Sequence, residues 1–366
     1  MPSMTRLTPC CIKEAIDENR LKCKVNGAGP NVSCTDRIDP KILKLHRTPS
    51  HSVAYCVGVS NRQGWDMPKN YRMLDKDQLS AADRLFASTV IHEMAKKGRS
   101  PVFSRLLTQI GLDGIFVGSK SVGDVFDSIF SMLKMESYRH EYTYKTAITQ
   151  KLFLGVHSIN TASMLTEFRV GSSKADVVIL NGTASAYEIK SERDTLDRLQ
   201  RQIEAYRRVF ARVNVITSLN HLDEVQELIE ADIGILILNK NYALSVVRKA
   251  DNNPRRIDVG AVFDSIQLHE SKRILQLSGV EVPNLPNTQQ YTALREIFKS
   301  LPPELVHMQM VKVLKESRSL LPIKDLLSSL PESLRAAVLS TPLRQKDHRR
   351  ILSAVETPIR EALSWA

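Results

Sequence analysis

The apolar positions of the chain change period along its length, and each change marks an element. Leu85, Phe86, Val90 and Met94 recur at helical spacing between Ser80, a candidate N-cap, and Gly98, a stop signal. Ser121 with Asp124 three residues on has the form of a capping box, opening a helix through Phe126, Ile129, Phe130 and Leu133. A further helix is expected over Tyr138 to Leu154, with Ile148 and Leu152 in register with Glu141. The period then falls to two. Thr166 to Val170 reads as a strand, and Val177 to Leu180 with Ala184 to Lys190 as the arms of a hairpin around Asn181-Gly182. Leu196, Leu199, Ile203, Tyr206 and Phe210 form the apolar stripe of the next helix. Val213 to Thr217 (strand), Leu222 to Ala231 (helix), Ile233 to Leu238 (buried strand) and Tyr242 to Arg248 (edge strand) follow. After about Gly260 the pattern is again helical, in short amphipathic pieces such as Tyr291 to Lys299, Glu304 to Ser317 and Ile323 to Leu330, with prolines near their starts.

This order predicts an α/β core with a mixed sheet flanked by helices over residues 138–250, a helical lobe over 74–135 and a helical region over 260–366. Residues 1–66 lack sustained periodicity and hold all five cysteines, at 10, 11, 23, 34 and 56. Zinc binding by these cysteines has no Cys-x-x-Cys pair to support it. The segment reads as an unstructured or wrongly assigned extension, with Met67 or Met73 as the natural start. No apolar run approaches a membrane span, and no basic-then-apolar leader opens the chain, so a cytoplasmic protein is expected. No Gly-x-x-x-x-Gly-Lys-[Ser/Thr] loop is present. An energy-dependent process would therefore need a separate partner protein or motor subunit.

The hairpin concentrates the chemistry. Side chains alternate faces along a strand, so Glu188 and Lys190 share one face and Tyr187 and Ile189 the other. A three-residue loop, Asn181 to Thr183 with Gly182 left-handed, would set Asp176 opposite Glu188 at about 4.5–5.5 Å between β-carbons. Carboxylates that close can share a divalent cation, and hard oxygen ligands suit Mg²⁺ or Mn²⁺. Gln202 and Tyr206, at i and i+4 on the following helix, lie on one helical face. Glu-x-Lys alone carries little weight: Glu270-Ser271-Lys272 matches it without a preceding aspartate hairpin, and such triplets are commonly solvated charge pairs. Lys174, Arg193, Arg198, Arg201, Arg207, Arg208 and Arg212 surround the motif but alternate with acidic residues, which an ordinary charged helix face explains. The formal net charge of +11 favours a phosphate-bearing partner.

Asp176, Glu188-Ile189-Lys190 and Gln202-x-x-x-Tyr206 together resemble the PD-(D/E)XK nuclease superfamily, in its branch with RecB-type nuclease domains, although Ala175 stands where the family name has proline. The resemblance implies a core of helix, three-stranded meander, crossover helix and further strand. It implies a nuclease dependent on Mg²⁺ or Mn²⁺, acting on DNA in preference to RNA. Asp176 and Glu188 would ligate the metal, with the Ile189 carbonyl as a third ligand. Lys190 would position the attacking water or offset transition-state charge, and Gln202 and Tyr206 would orient substrate or a metal-bound water. A glutamate of the first helix often joins such sites, which makes Glu141 the candidate and Glu167, on the following strand, its competitor. Residues Tyr138 to Arg248 are also similar to a bacterial prophage-associated family of unassigned activity, pointing to phage defence or mobile-element biology. The rival expectation is a catalytically inactive scaffold of the same fold that binds nucleic acid or proteins.

Overall fold

Six strands form one sheet in chain order: β1 (Ser163–Val170), β2 (Ser173–Leu180), β3 (Ala184–Lys190), β4 (Arg212–Thr217), β5 (Gly234–Leu238) and β6 (Leu244–Arg248). The structure is a computed structural model describing residues 74–111 and 120–365, so the expectations for residues 1–66, their cysteines and an internal start lie outside the described residues. Strands β1 to β3 form an antiparallel meander, β4 and β5 run parallel to β3, and β6 returns antiparallel at the edge. Parallel neighbours need crossovers, which helices Leu199–Arg207 and Leu222–Leu228 supply.

Alternation along the strands sorts the core into two layers. Met164, Val177, Ile179, Ile189, Ile216 and Leu236 pack on one side, with α1 (Lys76–Arg84), α2 (Ser88–Lys97), α3 (Pro101–Ile110), α4 (Val122–Leu133) and α5 (Glu141–Ala147). The helices beyond Leu321 join that layer. Leu165, Val178, Leu180, Ala186, Val215 and Ile235 face the other side, against the crossover helix Leu199–Arg207 and the helices between Val259 and Ser317. The result is a three-layer α/β arrangement, a mixed sheet covered on both faces. The C-terminal helices, continuous in sequence, are thus divided between the two faces. Among the described residues no helix is long and apolar enough to cross a membrane.

Two helices differ from the sequence expectation. Ser80 lies inside α1, whose N-cap is Asp75; its carboxylate accepts from the N–H groups of Asp77 and Gln78, completing a capping box with Gln78. The chain then breaks at Leu85 to Ala87, where Phe86 enters an aromatic cluster with Phe126, Phe130 and Tyr142. Gly98 ends α2 at φ 71°, and Ser121 with Asp124 forms the expected capping box of α4. The helix expected over Tyr138 to Leu154 is α5 followed by a π-helical stretch, Ile148–Phe153. Thr146 and Thr149 donate to the carbonyls four residues back, Tyr142 at 2.9 Å and Lys145 at 2.9 Å, a bonding mode that loosens the α-helical ladder. Before α5, the buried Arg139 donates to the carbonyls of Lys134, Leu238 and Lys240, tying the helical layer to the end of β5.

Candidate active site at the β2–β3 hairpin

The β2–β3 ladder runs from Leu180 opposite Ala184 to Val177 opposite Tyr187, and it closes on Asn181 to Thr183 with Gly182 at φ 68°. One more step in this register brings Asp176 level with Glu188. There the Ile189 N–H donates to the Asp176 carboxylate at 2.7 Å. By strand alternation Asp176, Glu188 and Lys190 share the face of Val178 and Ala186, the side covered by the crossover helix.

That helix delivers Gln202 and Tyr206 to the same carboxylate. Tyr206 places its hydroxyl 2.8 Å from Glu188 Oε2 and 2.7 Å from the Lys174 carbonyl, so its one proton serves either acceptor. Its ring is buried in the stripe that also holds Leu199, Ile203 and Phe210. The tyrosine is therefore both core and site. Gln202 Nε2 donates to Glu188 Oε1, while Gln202 Oε1 accepts from Lys190 Nζ at 2.9 Å. Lys190 Nζ lies 3.2 Å from Glu188 Oε1. Glu188 is 2% exposed and Lys190 5% exposed, so this network is largely closed to water.

Negative charge is in excess at Asp176. Burial pushes its carboxyl well above the usual range, Glu188 and Glu141 push it further, and the Ile189 N–H and Lys145 act in opposition. The Glu188 carboxyl is also raised, by burial first, against the lowering pull of Lys190, Tyr206 and Gln202. Burial and the adjacent Glu188 raise the Tyr206 hydroxyl, which therefore stays protonated and able to donate.

The competing glutamates have different surroundings. Glu167 is bracketed on β1 by the pairs Thr166–Val177 and Phe168–Ala175, but its backbone is left-handed, at φ 53°, and its exposed carboxylate pairs with Lys174 at 2.6 Å. Glu141 opens α5, acts electrostatically on Asp176 and pairs with Lys145 at 3.0 Å. Ile189 is buried, with its N–H committed to Asp176. The basic belt divides as well: Arg207 pairs with Glu230 and Asp232, and Arg208 with Asp258, whereas Arg198 and Arg201 are exposed and form no ion pair among the described residues.

Among the described residues no group of three or more His, Cys, Asp or Glu is close enough to hold a metal ion by side chains alone. Two adjacent carboxylates nevertheless fit Mg²⁺ or Mn²⁺. Mg²⁺ characteristically keeps several waters and takes one or two carboxylates plus substrate phosphate oxygens. Burial raises both carboxyls, and a cation held between them would favour the ionised form of each.

Two residues escaped the sequence reading. Lys145 is buried on α5; its spacing of four from Glu141 was visible, but its burial was not. Asp83 on α1 comes within electrostatic range of Glu141, Lys145 and Arg193, and its carboxyl is raised to about 6, by burial first and then by Glu141. No local pattern could have joined α1 to this site, because the tertiary packing of the helical layer makes the contact.

Comparison with known proteins adds a family. The profile described as Bacteriophage P4 protein cII matches residues 134–330, which spans α5, the whole sheet and the helices to the end of Lys324–Ser329. Protein cII of Enterobacteria phage P4 is 31% identical over 85 residues, covering 23% of this chain and 32% of that protein, so the match spans about a third of the relative's length. Among solved structures, the SPO1766 protein of unknown function from Silicibacter pomeroyi aligns at 20% identity with a TM-score of 0.23, covering 32% of this chain and 81% of that one. A TM-score that low carries no argument about the fold.

Proposed function

The chain belongs to the Bacteriophage P4 protein cII family, and we propose that it is a metal-dependent nuclease of the PD-(D/E)XK kind, acting on DNA in preference to RNA. The observation that carries this reading is the hairpin register, which brings the half-buried Asp176, the buried Glu188 and the buried Lys190 onto one face beneath Gln202 and Tyr206. The order α5, antiparallel meander, crossover helix and parallel β4 agrees with the core that the superfamily resemblance implies.

Asp176 and Glu188 would hold Mg²⁺ or Mn²⁺, assisted by Glu141 and the Ile189 carbonyl. When bound, the cation supplies Lewis acidity and a water of lowered pKa. Lys190 stands beside Glu188 and would set its ammonium against the phosphate oxygens as negative charge grows there. Gln202, engaged by Lys190 at one end of its amide and Glu188 at the other, fixes the separation of these two groups. Tyr206 holds the second Glu188 oxygen. Arg198 and Arg201, exposed near the start of the crossover helix, would attract the phosphate backbone. A phage-linked family is in keeping with phage defence or mobile-element biology as the setting.

One observation favours a second reading. Gln202 and Lys190 already occupy Glu188 Oε1 and Tyr206 shares Oε2, and a member of the fold that binds nucleic acid without cutting would keep this network. Cleavage of linear, circular, single-stranded and RNA substrates in Mg²⁺ or Mn²⁺ tests the choice. The nuclease reading expects metal-dependent cutting that is lost in Asp176→Ala and Lys190→Ala. Binding without cutting by all three proteins supports the silent scaffold.

A further inference from the structure

Lys145 is a buried charge near the site that the proposed chemistry leaves unused. Its side chain is 9% exposed, and its ion pair among the described residues is with Glu141, at 3.0 Å. Glu141 itself is 56% exposed at the start of α5, free to turn elsewhere. Helix α5 packs against β3 from the face opposite the crossover helix, as its neighbours Tyr144 and Ala147 in the other core layer show. Lys190 belongs to the strand of Glu188 itself, whereas Lys145 stands in the layer across the sheet. The charge of Lys145 acts on Asp176, Asp83 and Glu167, all in the direction that favours the carboxylate.

We infer that Lys145 is a second phosphate-contacting residue of the site and that its ion pair with Glu141 is a latch coupling cation capture to nucleic-acid binding. The inference rests on the nuclease reading. Glu141 cannot serve two cations fully. When Glu141 turns toward a cation at Asp176 and Glu188, Lys145 is left as a buried, unpaired ammonium, a costly state. A phosphate oxygen of the bound strand restores its pairing. In the other direction, a phosphate at Lys145 releases Glu141 for the cation. Thermodynamic linkage makes the two effects equal in size.

The test measures Mn²⁺ affinity of the full chain by electron paramagnetic resonance, with and without a cleavage-resistant phosphorothioate DNA duplex, and duplex affinity with and without Mn²⁺. For the unmodified protein each ligand is expected to tighten the other by about fivefold or more, and equally. Lys145→Met should keep Mn²⁺ affinity or gain in it, while the mutual factor falls to what the cation's own contact with phosphate supplies. Glu141→Gln should bind the duplex more tightly than the unmodified protein in the absence of metal, because Lys145 is already released; this variant also serves if Lys145→Met does not fold. Coupling undiminished in Lys145→Met, no coupling in the unmodified protein, or no metal-free gain in Glu141→Gln overturns the inference alone, leaving cleavage and Mn²⁺ uptake intact. Failure of the unmodified protein to take up Mn²⁺ overturns the nuclease reading as well.

Discussion

Glu188-Ile189-Lys190 and Glu270-Ser271-Lys272 are the same triplet set in two different backbones. On β3 the first and third side chains share a face, and Lys190 Nζ lies 3.2 Å from Glu188. In helix Leu268–Leu277 the same two positions diverge. Glu270 turns inward, accepting from Arg318 at 2.9 and 2.7 Å, from Ser317 at 2.7 Å and from the Gln267 N–H at 2.8 Å, while Lys272 turns to Gln290 at 2.7 Å. Burial acts to raise the Glu270 carboxyl, but Arg318 and the other donors outweigh it and hold the group below its usual range. Burial holds Glu188 above that range, against the lowering pull of Lys190, Tyr206 and Gln202. Both carboxylates are buried and hydrogen-bonded; at Glu270 the donors outweigh burial, and at Glu188 burial outweighs the donors.

The comparison can be broken most directly by activity. Lys190→Ala should reduce metal-dependent cleavage about 10²- to 10³-fold, the usual cost of one transition-state donor, while Lys272→Ala leaves it within about twofold. Equal effects in a cleavage assay would remove the distinction. Stability should invert the ranking. Arg318→Ala strands the Glu270 carboxylate among buried atoms and should cost about 2–4 kcal/mol in urea unfolding, discounted because the arginine is partly exposed.

A substitution that helps the metal-free protein sharpens the point. Asp176→Asn keeps an acceptor for the Ile189 N–H and removes the repulsion with Glu188, so it should stabilise the metal-free chain by about 1 kcal/mol. It should also abolish the upward shift in Tm that Mg²⁺ gives the unmodified protein. Glu270→Gln should lower Tm with or without Mg²⁺.

The smallest effect concerns the element that joins the two regions. Helix Pro303–Ser317 carries His307, whose Nε2 accepts the Ala184 N–H at 3.2 Å behind the hairpin loop, and it is followed directly by Arg318 at the Glu270 clamp. Burial pushes His307 down to about 4, so the folded state holds it neutral. A depressed folded value means that the unfolded chain binds the proton first. The contribution of His307 is complete above about pH 6.5 and is lost as pH falls toward 4. Urea unfolding should show a loss of about 1 kcal/mol between about pH 7 and pH 5.5 that His307→Gln does not show.

Parts of this arrangement were legible in residues close together in sequence. Strand parity and loop length together dictate hairpin register, so Asp176, Glu188 and Lys190 could be aligned without coordinates. The positions of Gln202 and Tyr206 followed from helical spacing. Ser80 is no N-cap because Asp75, earlier in the chain, already starts the helix by capping the N–H groups of Asp77 and Gln78. The break at Phe86 and the π-helical stretch after α5 were hidden, since aromatic packing and threonine back-bonding override helical periodicity.

The sequence by itself determined the order of elements, the two-faced burial of the strands and the pairing of unlike neighbours across one hairpin, because these depend on periods of two and 3.6 residues and on turn chemistry. Only the tertiary structure decided that the C-terminal helices divide between the two faces of the sheet. It alone brought Asp83 within reach of Glu141, buried Lys145 in the layer opposite the crossover helix, and gave Glu270 an arginine from a distant helix end, where Glu188 has the lysine of its own strand. The charge state of a carboxylate is a sum over all neighbours in space, and most of those neighbours are distant in the chain.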